Sequence, residues 1–169
     1  FDVVQNPEAV ALGVEYCTIE KLFAESHVIS LHCPLTPQTR HIINSASLAR
    51  MRNGVFIINT GRGPLIDTAA TIRGLKSGRI GALAIDVYEE EEGVFYEDLS
   101  GGILADDQLA RLLTFPNVLV TSHQAFFTRE AILGMIRQAI DIEKSAGWGY
   151  VDDVIDPRDT RRVLAMGLE

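Results

Sequence analysis

Apolar residues gather into short continuous runs along the chain, with mixed polar and apolar stretches between them. The runs at residues 28–33, 55–59, 80–85 and 118–121 are bounded by polar and turn-forming residues. Runs of this kind are typical of parallel strands that are covered on both faces. Residues 13–17 predict a further strand, and Asp2 follows what we interpret as the end of another.

Five segments between or after these runs have the apolar spacing and the end signals of helices. They lie at residues 18–25, 45–51, 67–77, 106–113 and 128–145. Asp67 can cap the third segment at its amino terminus, and Gly78 follows its end. Pro116 lies shortly after the fourth segment, where a helix should stop. The alternation of strands and helices predicts the α/β class with a parallel sheet.

Three successive apolar runs end in side chains that suit acid–base chemistry and anion binding. Arg62 lies between two glycines after the run 55–59, an acidic stretch follows the run 80–85, and His123 follows the run 118–121. Open α/β sheets bind ligands at the carboxyl ends of their strands. An arginine fork suits a carboxylate, and a histidine beside a carboxylate can act as a general acid or base. Taken alone, Arg62 could equally be a surface charge, a histidine such as His123 is more often a satisfied loop residue, and an acidic run is usually a solvated face. Their coincidence at three strand ends favours a site.

Residues from about 1 to about 145 resemble the D-isomer-specific 2-hydroxyacid dehydrogenases, and most closely the fermentative D-lactate dehydrogenases. The matching motifs are HCPLT at 32–36, NTGRGPLID at 59–67, DVYEEE at 86–91, NVLVT at 117–121 and HQAFFT at 123–128. The acidic insertion at 94–99 favours the D-lactate branch, as does Ser122, which stands where other branches usually have proline.

The resemblance implies roles for the residues at the strand ends. Arg62 matches the substrate-binding arginine, His123 the acid/base, and Glu91 the carboxylate that pairs with the histidine and keeps it protonated. The implied substrate is a small 2-oxo or 2-hydroxy acid such as pyruvate or D-lactate. Three further acidic residues match no catalytic position and are expected to be solvated: Glu89, Glu90 and Glu92.

The resemblance also implies an NAD site. Asp2 matches an acidic residue that bonds the adenosine ribose and would repel a ribose phosphate, which favours NAD over NADP. Without the resemblance, Asp2 would be an ordinary polar residue. Six other residues match positions that pass or line the cofactor: Cys33, Pro34, Thr39, Thr60, Gly61 and Asp86.

The chain departs from the family because it contains no Gly-x-Gly-x-x-Gly turn, which would bind the cofactor pyrophosphate. We therefore expect residues 1–146 to form an incomplete NAD-binding domain. Its fold would be a partial doubly wound, Rossmann-type parallel sheet that lacks the first strand and the glycine-rich turn. We therefore interpret the chain as a fragment of a dehydrogenase. The alternative is a non-catalytic remnant or a fusion product that binds no cofactor.

The carboxyl-terminal residues 147–169 are expected to be a tail of different origin. Residues 149–169 resemble the carboxyl terminus of biotin-dependent acyl-CoA carboxyltransferase subunits, with Pro157 at the first turn of a helix and Asp156 as its cap. An unrelated amphipathic tail is the alternative. Neither reading changes the predicted function.

Composition limits the classes of partner. The chain has 169 residues, 47% of them hydrophobic, and a net charge of -8, which argues against nucleic acid and anionic membranes as partners. Its two cysteines, Cys17 and Cys33, form no disulfide framework and are expected to be reduced thiols. We expect a cytoplasmic protein without a metal site, and the sequence leaves assembly into a homo-oligomer open.

The 169-residue chain alone is expected neither to reduce pyruvate with NADH nor to bind NADH as intact relatives do. The physical reason is the lack of a glycine-rich pyrophosphate turn. NADH absorbance with pyruvate present and NADH fluorescence titration measure the two properties. Turnover of pyruvate by chain freed of host dehydrogenase would contradict the expectation.

Overall fold

Four parallel strands form one sheet in the amino-terminal part of the chain. The computed structural model describes residues 1–91, 94–95 and 104–145, and the chain divides into two units, Phe1–Gln124 and Ala125–Glu169. The sheet lies in the first unit, with the order β1-β2-β3-β4. The strands are β1 (Val28–Leu31), β2 (Val55–Asn59), β3 (Ile80–Ile85) and β4 (Val118–Val120). The predicted α/β class with a parallel sheet is confirmed.

The five predicted helices are all present. Four of them begin directly after a capping side chain that accepts a main-chain N–H from the first turn, and these caps are Thr18, Asn44, Asp67 and Asp106. A short helix and a 3₁₀ turn at Gly63–Leu65 were not predicted. The helices in chain order are α1 (Pro7–Ala11), α2 (Ile19–Glu25), α3 (Ser45–Arg50), α4 (Thr68–Lys76), α5 (Asp107–Leu113) and α6 (Arg129–Ser145).

Two predicted strands are wrong. Residues 13–17 and the residues around Asp2 form no strand, and α1 lies between them. A strand needs a neighbour to satisfy its main-chain groups. In the doubly wound order, residues 13–17 would pair with the strand that ends near Asp2. Because residues 1–6 are not extended as a strand, residues 13–17 have no strand to pair with in the described part of the chain.

The sheet buries one face and exposes apolar side chains on the other. The register places Ile29, Ile57 and Leu83 side by side, and all three are buried. On the opposite face, Phe56 is 49% and Leu119 61% exposed. The prediction of strands covered on both faces is therefore wrong for the described residues. In the Phe1–Gln124 unit, α4 packs against β3 and α5 against β4.

The 3₁₀ turn after β2 packs directly on the main chain that follows β3. A Cβ built on Gly63 would lie 1.8 Å from the carbonyl oxygen of Tyr88 and 2.6 Å from the nitrogen of Glu89. Only glycine permits this approach of two backbones. The contact fixes the position of the loop after β2 relative to the loop after β3.

Replacing Gly63 by Ala should lower the free energy of unfolding by about 3 kcal/mol, because one of the two backbones must move away. Urea denaturation followed by circular dichroism measures the change. Gly134→Ala is the matched control, since nothing lies within 4 Å of a Cβ built there. It should leave stability within about 1 kcal/mol of the parent or raise it, because alanine is the better helix former. Equal stability of both variants would contradict the packing described here.

Candidate active site

The carboxyl ends of the four parallel strands lie at one edge of the sheet. Arg62 follows β2, the segment from Asp86 to Glu91 follows β3, and His123 follows β4. Because β2, β3 and β4 are neighbours in the sheet, their following loops are neighbours too. The edge predicted to carry the site is therefore formed.

His123 and Glu91 lie together at this edge. Nδ1 of His123 is 3.2 Å from Oε1 of Glu91, and the two side chains are 29% and 19% exposed. The other carboxylate oxygen of Glu91 accepts a hydrogen bond from the main-chain N–H of Tyr88 at 3.0 Å. The prediction that His123 lies within hydrogen-bond reach of Glu91 is confirmed. A carboxylate in this place favours a proton on Nδ1 of the imidazole.

The main chain of His123 adopts a left-handed conformation with φ of 52°. Such conformations are uncommon for residues other than glycine and occur often at functional sites. Two carbonyl oxygens hold it there, because the His123 N–H donates to the main chain of Asp86 at 2.7 Å and of Thr121 at 2.9 Å. The main chain at the ends of β3 and β4 therefore fixes the position of His123, in addition to the contact of its ring with Glu91.

Asp86 holds the loop that carries His123. Its carboxylate is buried, and one oxygen accepts hydrogen bonds from the Thr121 hydroxyl at 2.5 Å and from the Gln124 main-chain N–H at 2.8 Å. The resemblance implies that Asp86 lines the nicotinamide side, and that role stays a prediction. Its observed contacts show a residue that positions the acid/base candidate.

Arg62 is exposed at the same edge, on a turn that Asn59 fixes. The Asn59 amide accepts the Gly61 N–H at 3.0 Å and donates to the Arg62 carbonyl at 2.9 Å, and its side chain is fully buried. The Arg62 guanidinium donates to the Gly61 carbonyl at 2.8 Å. Sequence reasoning missed this role of Asn59. The signal was a polar residue closing an apolar strand, where an amide can satisfy the main chain of the next turn.

The predicted cofactor residues after β1 form a compact turn. The Thr39 hydroxyl donates to the Pro34 carbonyl at 2.7 Å and accepts the Thr36 N–H at 2.7 Å. Burial raises the pKa of the Cys33 thiol, and the carboxylate of Asp2 raises it further. Cys33 is therefore a protonated thiol at neutral pH, which argues against a reactive role.

These residues fit part of a bound NAD. Asp2 is exposed, and a carboxylate in this place would accept hydrogen bonds from ribose hydroxyls. Thr60 is exposed and Gly61 half-buried at the neighbouring strand end. The sequence has no Gly-x-Gly-x-x-Gly turn, so none of these residues supplies the glycine-rich main chain that would bind the pyrophosphate.

Glu89 is not the solvated residue that the sequence predicts. Its side chain is only 16% exposed and lies 2.5 Å from Nε2 of His41. It also accepts hydrogen bonds from the main-chain N–H and the hydroxyl of Thr68. The prediction failed because the spacing of residues along the sequence cannot show that His41, in the loop before α3, and Thr68, at the start of α4, contact Glu89. Glu90 is exposed as predicted, and Glu92 lies outside the described residues.

The described residues contain no group of three or more His, Cys, Asp or Glu side chains that could hold a metal ion. None of their helices is long and apolar enough to cross a membrane. Part of the acidic insertion and the tail at 147–169 lie outside the described residues.

Comparison with known proteins identifies the family. Residues 1–125 match the family model described as D-isomer specific 2-hydroxyacid dehydrogenase, NAD binding domain. The chain is 57% identical over 118 residues to 2-hydroxyacid dehydrogenase A of Aspergillus oryzae, with 70% of this chain and 34% of the relative covered. It is 52% identical over 132 residues to the D-lactate dehydrogenase of Escherichia coli, with 78% and 40% covered.

A solved structure shows the same fold. The NAD-complexed D-isomer specific 2-hydroxyacid dehydrogenase of Lactobacillus delbrueckii ssp. bulgaricus aligns with a TM-score of 0.81 at 29% identity, and covers 92% of this chain and 47% of its own. The chain spans less than half the length of each of these three proteins. The matches do not show the carboxyltransferase resemblance of residues 149–169, and the family match ends at residue 125. Together they show that this chain belongs to the D-isomer specific 2-hydroxyacid dehydrogenases, NAD-dependent oxidoreductases, through their NAD-binding domain.

Proposed function

We propose that this chain supplies the acid/base pair and the substrate-carboxylate anchor of a dehydrogenase that reduces pyruvate to D-lactate with NADH. The observation that carries the proposal is the 3.2 Å approach of His123 Nδ1 to Glu91 Oε1, at the edge of the sheet where Arg62 is exposed. A proton donor and an anion anchor at one edge are what reduction of a 2-oxo acid requires.

The chemistry divides between the residues in a simple way. Arg62 binds the substrate carboxylate through two parallel N–H donors, which orients the neighbouring carbonyl. When bound, the reduced nicotinamide supplies the hydride that the carbonyl carbon accepts. His123 gives a proton to the carbonyl oxygen, so that the product is a hydroxyl group. Glu91 orients the imidazole ring by accepting a hydrogen bond from Nδ1.

The name of one relative, the D-lactate dehydrogenase of Escherichia coli, supports pyruvate as the substrate. We propose a cytoplasmic location and a small-molecule substrate, with neither nucleic acid nor membrane as a partner. NAD is the cofactor of the family. The preference for NAD over NADP rests on the exposed carboxylate of Asp2.

A chimera tests the roles of the three residues. The segment of the Escherichia coli D-lactate dehydrogenase that matches this chain is replaced by the present sequence, and NADH oxidation with pyruvate is followed. Arg62→Gln should raise KM for pyruvate and lower kcat, because the anchoring charge is lost. His123→Ala should lower kcat by about two to four orders of magnitude, the usual range for general acid–base catalysis.

Matched controls separate these effects from general damage. Arg52 and His27 are both exposed, and Arg52→Gln and His27→Ala should leave the kinetics of the chimera unchanged. Near-normal kinetics in both Arg62→Gln and His123→Ala would show that the family roles do not transfer to this chain. An inactive chimera with an intact fold would favour the non-catalytic alternative.

Substrate preference is a separate prediction. The chimera should show a higher kcat/KM for pyruvate than for phenylpyruvate, because the proposal assigns a small 2-oxo acid to the site. Steady-state kinetics with the two acids at saturating NADH measure the ratio. The intact Escherichia coli enzyme is the control, since it shares the parts that this chain does not supply. A preference for the aromatic acid in the chimera alone would assign a larger substrate to this chain.

A further inference from the structure

Four side chains form a polar cluster beside the candidate site, which we call the Glu89 cluster: Arg40, His41, Thr68 and Glu89. One carboxylate oxygen of Glu89 lies 2.5 Å from Nε2 of His41 and 3.8 Å from a guanidinium nitrogen of Arg40. The other accepts the Thr68 N–H at 3.2 Å and the Thr68 hydroxyl at 3.0 Å. Thr68 is the first residue of α4, where a helix favours a negative charge.

The cluster ties the loop after β3 to two other parts of the fold. His41 belongs to the loop before α3, and its N–H donates to the Pro64 carbonyl at 2.8 Å. Its φ of 51° is left-handed, as is that of His123. Three parts of the fold therefore contact Glu89. They are the loop before α3 through His41, the start of α4 through Thr68, and the 3₁₀ turn through Gly63.

Glu89 and the catalytic candidate Glu91 share one short segment. The main-chain N–H of Tyr88, next to Glu89, donates to the Glu91 carboxylate at 3.0 Å. That carboxylate meets His123 at 3.2 Å. On the other side of this segment, the main chain of Gly63 packs against the main chain of Tyr88, and Gly63 directly follows Arg62 in the sequence. A shift of residues 88–89 would therefore move Glu91 relative to His123, and Arg62 with it.

We infer that Glu89 and His41 are positioning residues, which keep Glu91 in register with His123 through the segment 88–91. Their catalytic consequence rests on the proposed function, but their effect on the Glu91–His123 contact does not. A carboxylate 3.2 Å from Nδ1 keeps the proton of a neutral imidazole on that nitrogen. The tautomer of His123 therefore reports whether Glu91 is in place.

The test uses long-range ¹H–¹⁵N NMR of the imidazoles in alkaline solution, on the 169-residue chain. The Glu91→Gln variant provides the reference spectrum for a weakened contact between residue 91 and His123. His41→Asn removes the ring that reaches Glu89 and keeps a residue that tolerates the left-handed conformation. Both His41→Asn and Glu89→Ala should shift His123 away from the Nδ1–H tautomer, in the same direction as Glu91→Gln. Glu90→Gln, at an exposed neighbour of equal charge, should leave the tautomer unchanged.

The variants distinguish positioning from a through-space charge effect. His41→Asn removes a group that can carry positive charge and Glu89→Ala a negative one, so a charge effect would act in opposite directions in the two variants. A shared direction supports positioning. A parent-like tautomer in both, with a changed tautomer in Glu91→Gln, would overturn the inference, and so would opposite shifts. If the amide spectrum shows that Glu89→Ala is unfolded, Glu89→Gln replaces it, since it keeps the size of the side chain.

A kinetic measurement in the chimera completes the test. Glu89→Ala and His41→Asn should lower kcat with pyruvate about 10- to 100-fold, the scale expected for a misplaced catalytic group, and leave KM for NADH unchanged. Unchanged kcat in an active chimera would overturn the positioning role in catalysis. An inactive parent chimera would count against the proposed function alone, and the tautomer would still decide the positioning.

Discussion

The close approach of the Gly63 main chain to Tyr88 and Glu89 is the constraint on which the candidate site depends. It joins the turn that presents Arg62 to the segment that presents Glu91, and a side chain at position 63 would not fit between them. Since Glu91 meets His123, one backbone contact connects three strand ends. The parallel register of β2, β3 and β4 places these strand ends side by side. The Gly63 contact then fixes the loop after β2 relative to the loop after β3.

The buried polar groups at this edge act mainly on the main chain. Asn59 closes the turn after β2, and Asp86 holds the loop after β4. Each is a polar side chain removed from water and compensated by hydrogen bonds, and leaving such a bond unmade would cost about 1–3 kcal/mol. Loops with so many specified contacts present Arg62 and His123 in defined positions, as preorganised chemistry requires.

The sequence predicted the elements well because their signals are local. Apolar runs with bounding turns located β1 to β4, and capping side chains such as Asp67 located the helix starts within one residue. The predicted strand at 13–17 failed because pairing is not local. Glu89 failed for the same reason, since a run of four acidic residues does not reveal that His41 and Thr68 converge on one of them. Arg62 and His123 were predicted to lie at one edge because each follows a strand of a parallel sheet. Glu91 was selected from its acidic run only by the resemblance to the family.

In the proposed function, His123 and Glu91 act as one unit in catalysis. A double-mutant cycle on kcat/KM for pyruvate, measured in the chimera with His123→Ala, Glu91→Gln and both together, tests it most directly. If Glu91 acts through His123, the double variant should be no slower than His123→Ala alone, because removing the imidazole leaves Glu91 nothing to orient. Additive losses, with the double variant slower than His123→Ala by the full effect of Glu91→Gln, would contradict the claim.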